Sequence, residues 1–294
     1  MTELTSNPIT NWRDYYEMCK PRVVMLMILT SLVGMFLAVP GMVPLDVLIF
    51  GNVGIALVAS SGAVVNHFID RKIDIKMKRT HNRPLPQGRV GSAQTIIFAI
   101  AIGILGMAIL LFWVNPLCAW LTLGSFIGYA FIYTGYLKHA TPQNIVIGGL
   151  SGAMPPLLGW SAVTGTIEPE ALILVLIIFA WTPPHFWALA IHRKDEYAKS
   201  GVPMLPVTHG EQVTKVHIIF YAGTLLVVSS MPYFFGMSGI FFLASAMLLG
   251  AGFLFYSWLL MLKPGPTTAM DTFRYSIVYL AILFVALVID HYLF

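Results

Sequence analysis

Asn66, Asp70 and Asp74 stand four residues apart at the end of a long apolar run, Leu45 to Val65. On a helix these positions fall at i, i+4 and i+8 and form one stripe. Two carboxylates and an amide oxygen about one turn apart make an all-oxygen donor set suited to a hard cation such as Mg²⁺. Directly behind come Lys76, Lys78, Arg79, Arg83 and Arg89, interrupted by the stiff Arg83-Pro84-Leu85-Pro86. A cation site beside a basic loop is what a diphosphate needs. The competing reading is that charges at a helix end are merely solvated. The asparagine in register, and a second charged stretch further along, weigh against it.

That second stretch runs from His192 through Arg193-Lys194-Asp195-Glu196 to Lys199 and Gly201-Val202-Pro203. Asp195 and Lys199 are again four apart, with Glu196 adjoining. Gly201 and Pro203 are expected to stop the helix and turn the chain back. Charged turns four helices apart hint at an internal duplication.

The elements that must hold these residues are membrane helices. The chain has 294 residues, 57% hydrophobic and only 10% charged, which no water-soluble domain of this length matches. Apolar runs long enough to span occur at roughly 22–40, 45–69, 93–113, 116–136, 144–164, 170–191, 213–235, 238–262 and 272–293. The expectation is an all-α, polytopic protein of nine transmembrane helices, a single membrane-embedded domain over 1–294 with a short cytoplasmic segment at 1–20. The connections between spans three and four, and seven and eight, are tight enough to make helical hairpins.

Of the 17 Lys and Arg, seven lie in the second connection and four around the sixth, whereas the first, third, fifth and seventh have none. By the positive-inside rule the N-terminus is cytoplasmic, the C-terminus outside, and both charged loops face the cytoplasm. The net charge of +4 is then a topology signal in a lipid bilayer, with no nucleic-acid partner needed. The acidic N-terminal residues Asp14 and Glu17 argue against a transit peptide, which favours the plasma (inner) membrane of a bacterium. Cys19 and Cys118, one before the first span and one in the fourth, support neither a disulfide nor a thiolate metal site.

The spans carry signals of their own. Gly148-Gly149 and Ser151-Gly152-Ala153 permit close helix approach, and Pro155-Pro156 can kink their span. Trp181-Thr182-Pro183-Pro184-His185-Phe186-Trp187 places a histidine inside the sixth span. Intramembrane His185 is a functional candidate, weighed evenly against a buried imidazole bonded to a carbonyl that the prolines free.

These strings carry a family resemblance. Asn66-x-x-x-Asp70-x-x-x-Asp74 resembles the first Asp-rich motif of the UbiA-type intramembrane prenyltransferases. Arg79-Thr80-His81-Asn82-Arg83-Pro84-Leu85-Pro86, Asn144-Ile145-Val146-Ile147-Gly148-Gly149, Pro183-Pro184-His185-Phe186-Trp187 and Gly201-Val202-Pro203-Met204-Leu205-Pro206-Val207 are similar to the branch of that family that prenylates haem. The resemblance runs from about residue 12 to the C-terminus. It implies a bundle around a central cavity open to the cytoplasmic face. It also implies transfer of farnesyl from farnesyl diphosphate to a vinyl group of haem B, giving haem O for terminal oxidase assembly, with Mg²⁺ as cofactor and a downstream enzyme receiving the haem.

Carried over residue by residue, the resemblance has Asp70 and Asp74 holding Mg²⁺, with Asn66 and Asp195 as further ligands. Arg79, Arg83 and Lys138 contact phosphate oxygens, Tyr129, Tyr133 and Trp181 shelter the allylic cation, and His185 and His192 serve the haem side. One departure stands out: the second motif of the family is commonly Asp-x-x-x-Asp, and here it is Asp195-x-x-x-Lys199. Lys199 then meets the diphosphate directly, and a two-metal arrangement is in doubt. The alternatives are a related enzyme acting on a quinone precursor or chlorophyllide, and, from another class, a secondary transporter, whose charges belong near the bilayer midplane.

Overall fold

In lipid, backbone N–H and C=O groups have no water to bond, so long apolar runs must close their hydrogen bonds internally as helices. The computed structural model describes residues 11–77 and 80–293, and among these every regular element is a helix. In order they are α1 (Trp12–Met18), α2 (Pro21–Leu37), α3 (Leu45–Asp74), α4 (Ser92–Trp113) and α5 (Pro116–Ile127). A π-helical stretch, Gly128–Leu137, and a last turn, Lys138–Ala140, extend α5. There follow α6 (Asn144–Ala153), α7 (Pro155–Thr164), α8 (Pro169–His192), α9 (Lys194–Ser200), α10 (Leu205–Thr208), α11 (Gly210–Phe234), α12 (Ile240–Leu262) and α13 (Pro266–Leu293).

Among the described residues eight spans are long and apolar enough to cross a membrane, α5 with its extension and α6–α7 counting as one each, and the bent pair α1–α2 makes a ninth. This matches the nine runs read from the sequence, with two differences. The stretch before the first span carries a helix, α1, set at 52° to α2. The break between them is Lys20, in the left-handed region at φ 51° and ψ 58°, followed by Pro21, which has no N–H to continue a helical ladder. The last helix begins six residues earlier than 272, at Pro266, a residue suited to a first helical position.

The prolines of the fifth span act as expected, dividing it at Met154 into α6 and α7. Pro183 and Pro184, by contrast, lie inside an unbroken α8, where the Thr182 hydroxyl donates to the Ile178 carbonyl at 2.8 Å. Gly201, at φ 73°, ends α9 in the left-handed conformation that only glycine adopts freely.

Helix α8 is the post at the middle of the bundle. Its most apolar window is 72% buried inside the protein, against 22% for the same measure of α4, which faces lipid. Ile173, Leu174 and Ile177 of α8 pack in one cluster with Leu225 of α11, Phe242 and Phe253 of α12, and Tyr279 and Leu283 of α13. Small residues bring other helices very close. A Cβ at Gly34 would lie 2.1 Å from the Pro156 carbonyl oxygen, and one at Gly159 would lie 2.0 Å from that of Ser31, so α2 and α7 touch backbone to backbone.

Two contacts gather the charged loops at one end. Arg89 pairs with Asp14, and lies 3.5 Å from Glu17, tying α1 to the connection after α3. Met77, just past Asp74, packs in a cluster with Ile191, Tyr197, Val202 and Leu205 around the end of α8. The two charged stretches therefore share one end of the bundle, as the positive-inside count requires.

Candidate active site

The last two turns of α3 build the site. Asn66, Asp70 and Asp74 were expected at a water-exposed helix end, yet they are 4%, 3% and 2% exposed. A buried carboxylate is tolerable only when paired, and each member of the stripe has a cationic partner. Lys138 Nζ lies 2.7 Å from Asp70 Oδ2, and Arg83 Nη1 lies 2.8 Å from Asp74 Oδ2. Lys20 Nζ donates to Asn66 Oδ1 and reaches the Tyr129 hydroxyl at 3.4 Å. The three cations come from three places: the α1–α2 bend, the end of α5, and the loop after α3.

Neutral hydrogen bonds fix the stripe further. Asn66 Nδ2 donates to Asp70 Oδ2 at 2.8 Å and to Thr134 Oγ1 at 3.1 Å, and the Thr80 hydroxyl donates to the Asp74 carbonyl at 3.0 Å. The remaining Asp70 oxygen, Oδ1, is buried and has no partner.

The π-helical stretch supplies the opposite wall. Such segments are rare and gather at functional sites. The Thr134 hydroxyl donates to the carbonyl of Tyr129, five residues back, at 2.9 Å. The wide turn stacks Tyr129 on Tyr133, with ring centroids 6.0 Å apart and planes within 17°. Gly148 makes room for this pair: a Cβ there would lie 2.2 Å from the Tyr133 ring.

His185 lies on α8 between two parallel rings, 4.1 Å from Trp181 and 4.5 Å from Phe273 between centroids. Its Nδ1 meets the Ser276 hydroxyl at 2.6 Å, and Trp181 Nε1 donates to the Ser276 carbonyl at 2.7 Å. The imidazole thus finds its partner across the helix interface on α13 rather than at a carbonyl freed by the prolines. His192 is exposed, with Nδ1 2.9 Å from the Pro266 carbonyl oxygen.

Asp195 and Lys199 are both exposed on α9, and among the described residues they form no ion pair and no contact with the Asn66 stripe. The buried oxygen of that helix belongs to its neighbour: Glu196 Oε2 is shielded and has no partner. Arg79 lies outside the described residues. Sequence reasoning missed Lys20, Thr134 and the inward turn of Glu196. Only Lys20 had a local signal, a basic residue immediately before a helix-starting proline.

The donor set fits a hard cation of modest protein coordination. Mg²⁺ is commonly held by one or two carboxylates, with phosphates and waters completing its shell. Asp70 and Asp74, with the orphaned Asp70 Oδ1, supply that much. Among the described residues no three His, Cys, Asp or Glu side chains converge as a protein-only cage.

Comparison with known proteins decides the family. The model of the UbiA prenyltransferase family matches residues 27–288, nearly the whole chain. The chain belongs to the UbiA prenyltransferase family. Among its relatives in that family is a protoheme IX farnesyltransferase of Saccharophagus degradans, 59% identical over 100% of this chain and 98% of the relative. One of the same name from Stutzerimonas stutzeri is 62% identical over 96% of this chain and 95% of its own. Solved structures share the UbiA fold at lower identity. A digeranylgeranylglyceryl phosphate synthase superposes with a TM-score of 0.82 at 20% identity, covering 96% of this chain and 98% of its own. A UbiA homologue from Archaeoglobus fulgidus bound to DMAPP and Mg²⁺ gives 0.67 at 16% identity, covering 93% of this chain and 99% of its own.

Proposed function

We propose that this UbiA-family enzyme transfers the farnesyl group of farnesyl diphosphate to a vinyl group of haem B, giving haem O. The observation that carries the reading is the near full-length identity of about 60% to relatives named for that reaction. The charge-paired stripe, with Asp70 Oδ1 left open, is the matching chemistry in the site.

In this reading Asp70 and Asp74 hold Mg²⁺, with Asn66 and Asp195 as further donors. Bound there, the metal neutralises charge growing on the departing diphosphate. Lys138, Arg83 and Lys20 sit on the carboxylates and the amide while no substrate is present. With Mg²⁺ held by the carboxylates they would be free to turn to phosphate oxygens, so the site would exchange one set of ion pairs for another. Arginine does this bidentately. Arg79 and Lys199 extend the same clamp.

The C1–O bond of the farnesyl group then breaks, its electrons leaving with the diphosphate. The stacked Tyr129 and Tyr133 faces stabilise the allylic cation by cation–π attraction, and the apolar wall keeps bulk water away. The vinyl π electrons form the new C–C bond. Water closes the resulting cation as a hydroxyl, releasing one proton. His185, held on Ser276, and His192 belong to the haem side. In the same reading the protein lies in a bacterial plasma membrane with its N-terminus cytoplasmic, supported by the positive-inside count, and its product haem passes to a downstream enzyme.

The test is to incubate membranes carrying the chain with haem B, farnesyl diphosphate and Mg²⁺ and weigh the extracted haem. A hydroxyethylfarnesyl haem is expected. Unchanged haem B, with farnesyl appearing on a quinone precursor instead, would overturn the reading.

A further inference from the structure

His67 is 2% exposed, and neither of its ring nitrogens has a hydrogen-bond partner. An imidazole always carries a donor and, when neutral, an acceptor as well, and buried polar atoms are rarely left unmatched. Its position on α3 says where a partner would come from. At 100° per residue His67 lies about 20° from Asp74 and about 60° from Asp70 around the helix axis, at i, i+3 and i+7. It is thus on the metal-binding face, one turn deeper than Asp70. Two of the three cations that guard the stripe stand on that face, Lys20 on the neighbouring Asn66 and Arg83 on Asp74.

A prenyl diphosphate enters such a mouth tail first, because its apolar chain belongs in the bundle and its phosphates at the charged rim. The α-phosphate is then deeper than the β-phosphate and comes nearest to the level of His67. We propose that His67 donates an imidazole hydrogen bond to the α-phosphate of the prenyl donor, as a further binding residue of this site. This deepens the proposed function and rests on it for the identity of the donor. It explains why a polar ring without a protein partner stands beside a stripe whose members each have a cationic one: its partner arrives with the substrate.

The test needs no turnover. Binding of farnesyl diphosphate, with Mg²⁺ and without haem, is measured calorimetrically in detergent for wild type, His67→Leu and His67→Asn, together with each variant's thermal stability. Loss of a hydrogen bond to a charged group predicts about 10- to 100-fold weaker binding in His67→Leu. Its substrate-free form should be no less stable than wild type, since two unmatched polar atoms are gone. His67→Asn, which keeps a donor, should recover most of the affinity. Unchanged affinity in His67→Leu overturns the proposal, whether or not stability falls. If wild type binds farnesyl diphosphate but leaves haem unaltered, the acceptor assignment fails while the His67 comparison still decides the present point.

Discussion

Replacing Lys138 by Met removes the cation paired with Asp70 among the described residues and leaves a carboxylate that is 3% exposed without that charge partner. Deleting one member of a buried pair costs about 3–5 kcal/mol. The Asn66 amide still donates to Asp70 Oδ2, and the Lys138 side chain is 18% exposed in the pair. The expected loss is therefore at the low end, about 3 kcal/mol. Asp70→Asn should be milder, about 1 kcal/mol, because Lys138 can swing its ammonium to water on a flexible stem, whereas Asp70 is fixed to a helix. The double variant removes both charges and should lie within about 1 kcal/mol of wild type. Unfolding of all four proteins in one detergent completes the cycle. Millimolar Mg²⁺ should return more stability to Lys138→Met than to wild type, since it offers Asp70 a replacement charge. Equal losses in the two single variants, or a double variant as unstable as Lys138→Met, would refute the claim that Asp70 is held by charge pairing.

Three further outcomes follow from the site. Gly148→Ala drives a methyl to 2.2 Å from the Tyr133 ring, so the Tyr129–Tyr133 stack must open; farnesyl transfer should fall at least about tenfold in kcat while the protein still reaches the membrane. His185→Phe keeps the ring stack with Trp181 and Phe273 but leaves the Ser276 hydroxyl without its side-chain partner, for a stability loss of about 1 kcal/mol. If His185 serves haem, its Soret band and haem affinity should change in the same variant, with farnesyl diphosphate binding intact. Lys199→Ala should alter stability by no more than about 0.5 kcal/mol, as an exposed side chain without an ion pair. Its effect should appear in KM for farnesyl diphosphate, and an equal change in KM for haem would remove Lys199 from the diphosphate clamp.

The spans, the stripe and the stop at Gly201 were legible because each is a local pattern: run length, four-residue spacing, and a residue free at positive φ. The partners of the stripe were not. Lys20 reaches Asn66 across 46 positions and Lys138 reaches Asp70 across 68, and nothing in helical periodicity encodes such pairings. Nor did hydropathy say which helices lie inside. The lipid-facing α4 has the higher window average, 2.8, and the central α8 only 1.8, because the interior tolerates the Thr, Pro and His that lipid does not. The π-helical stretch also left no mark, since Gly128–Leu137 reads as an ordinary continuation of an apolar span. Its widening is fixed by what it packs against. The shielding of Glu196 Oε2, beside an exposed Asp195, depends on how α9 is rotated once Tyr197 enters the cluster beneath it.

Among the described residues, the polar contacts of the Asn66, Asp70 and Asp74 side chains are all drawn from residues 20 to 138. On a ribosome, that makes the charged cluster the product of the first half of translation. Carboxylates entering the bilayer with α3 face a membrane in which Lys20 has already been delivered, Arg83 follows Asp74 within nine residues, and Lys138 completes the pairing of the carboxylates two spans later. Chains emerge at about 5–20 residues per second, so Asp70 waits roughly 3–14 seconds for Lys138. The later helices, α8 among them, then close around a polar centre whose two carboxylates are already paired, and insertion never has to carry an unpaired carboxylate of α3 past them.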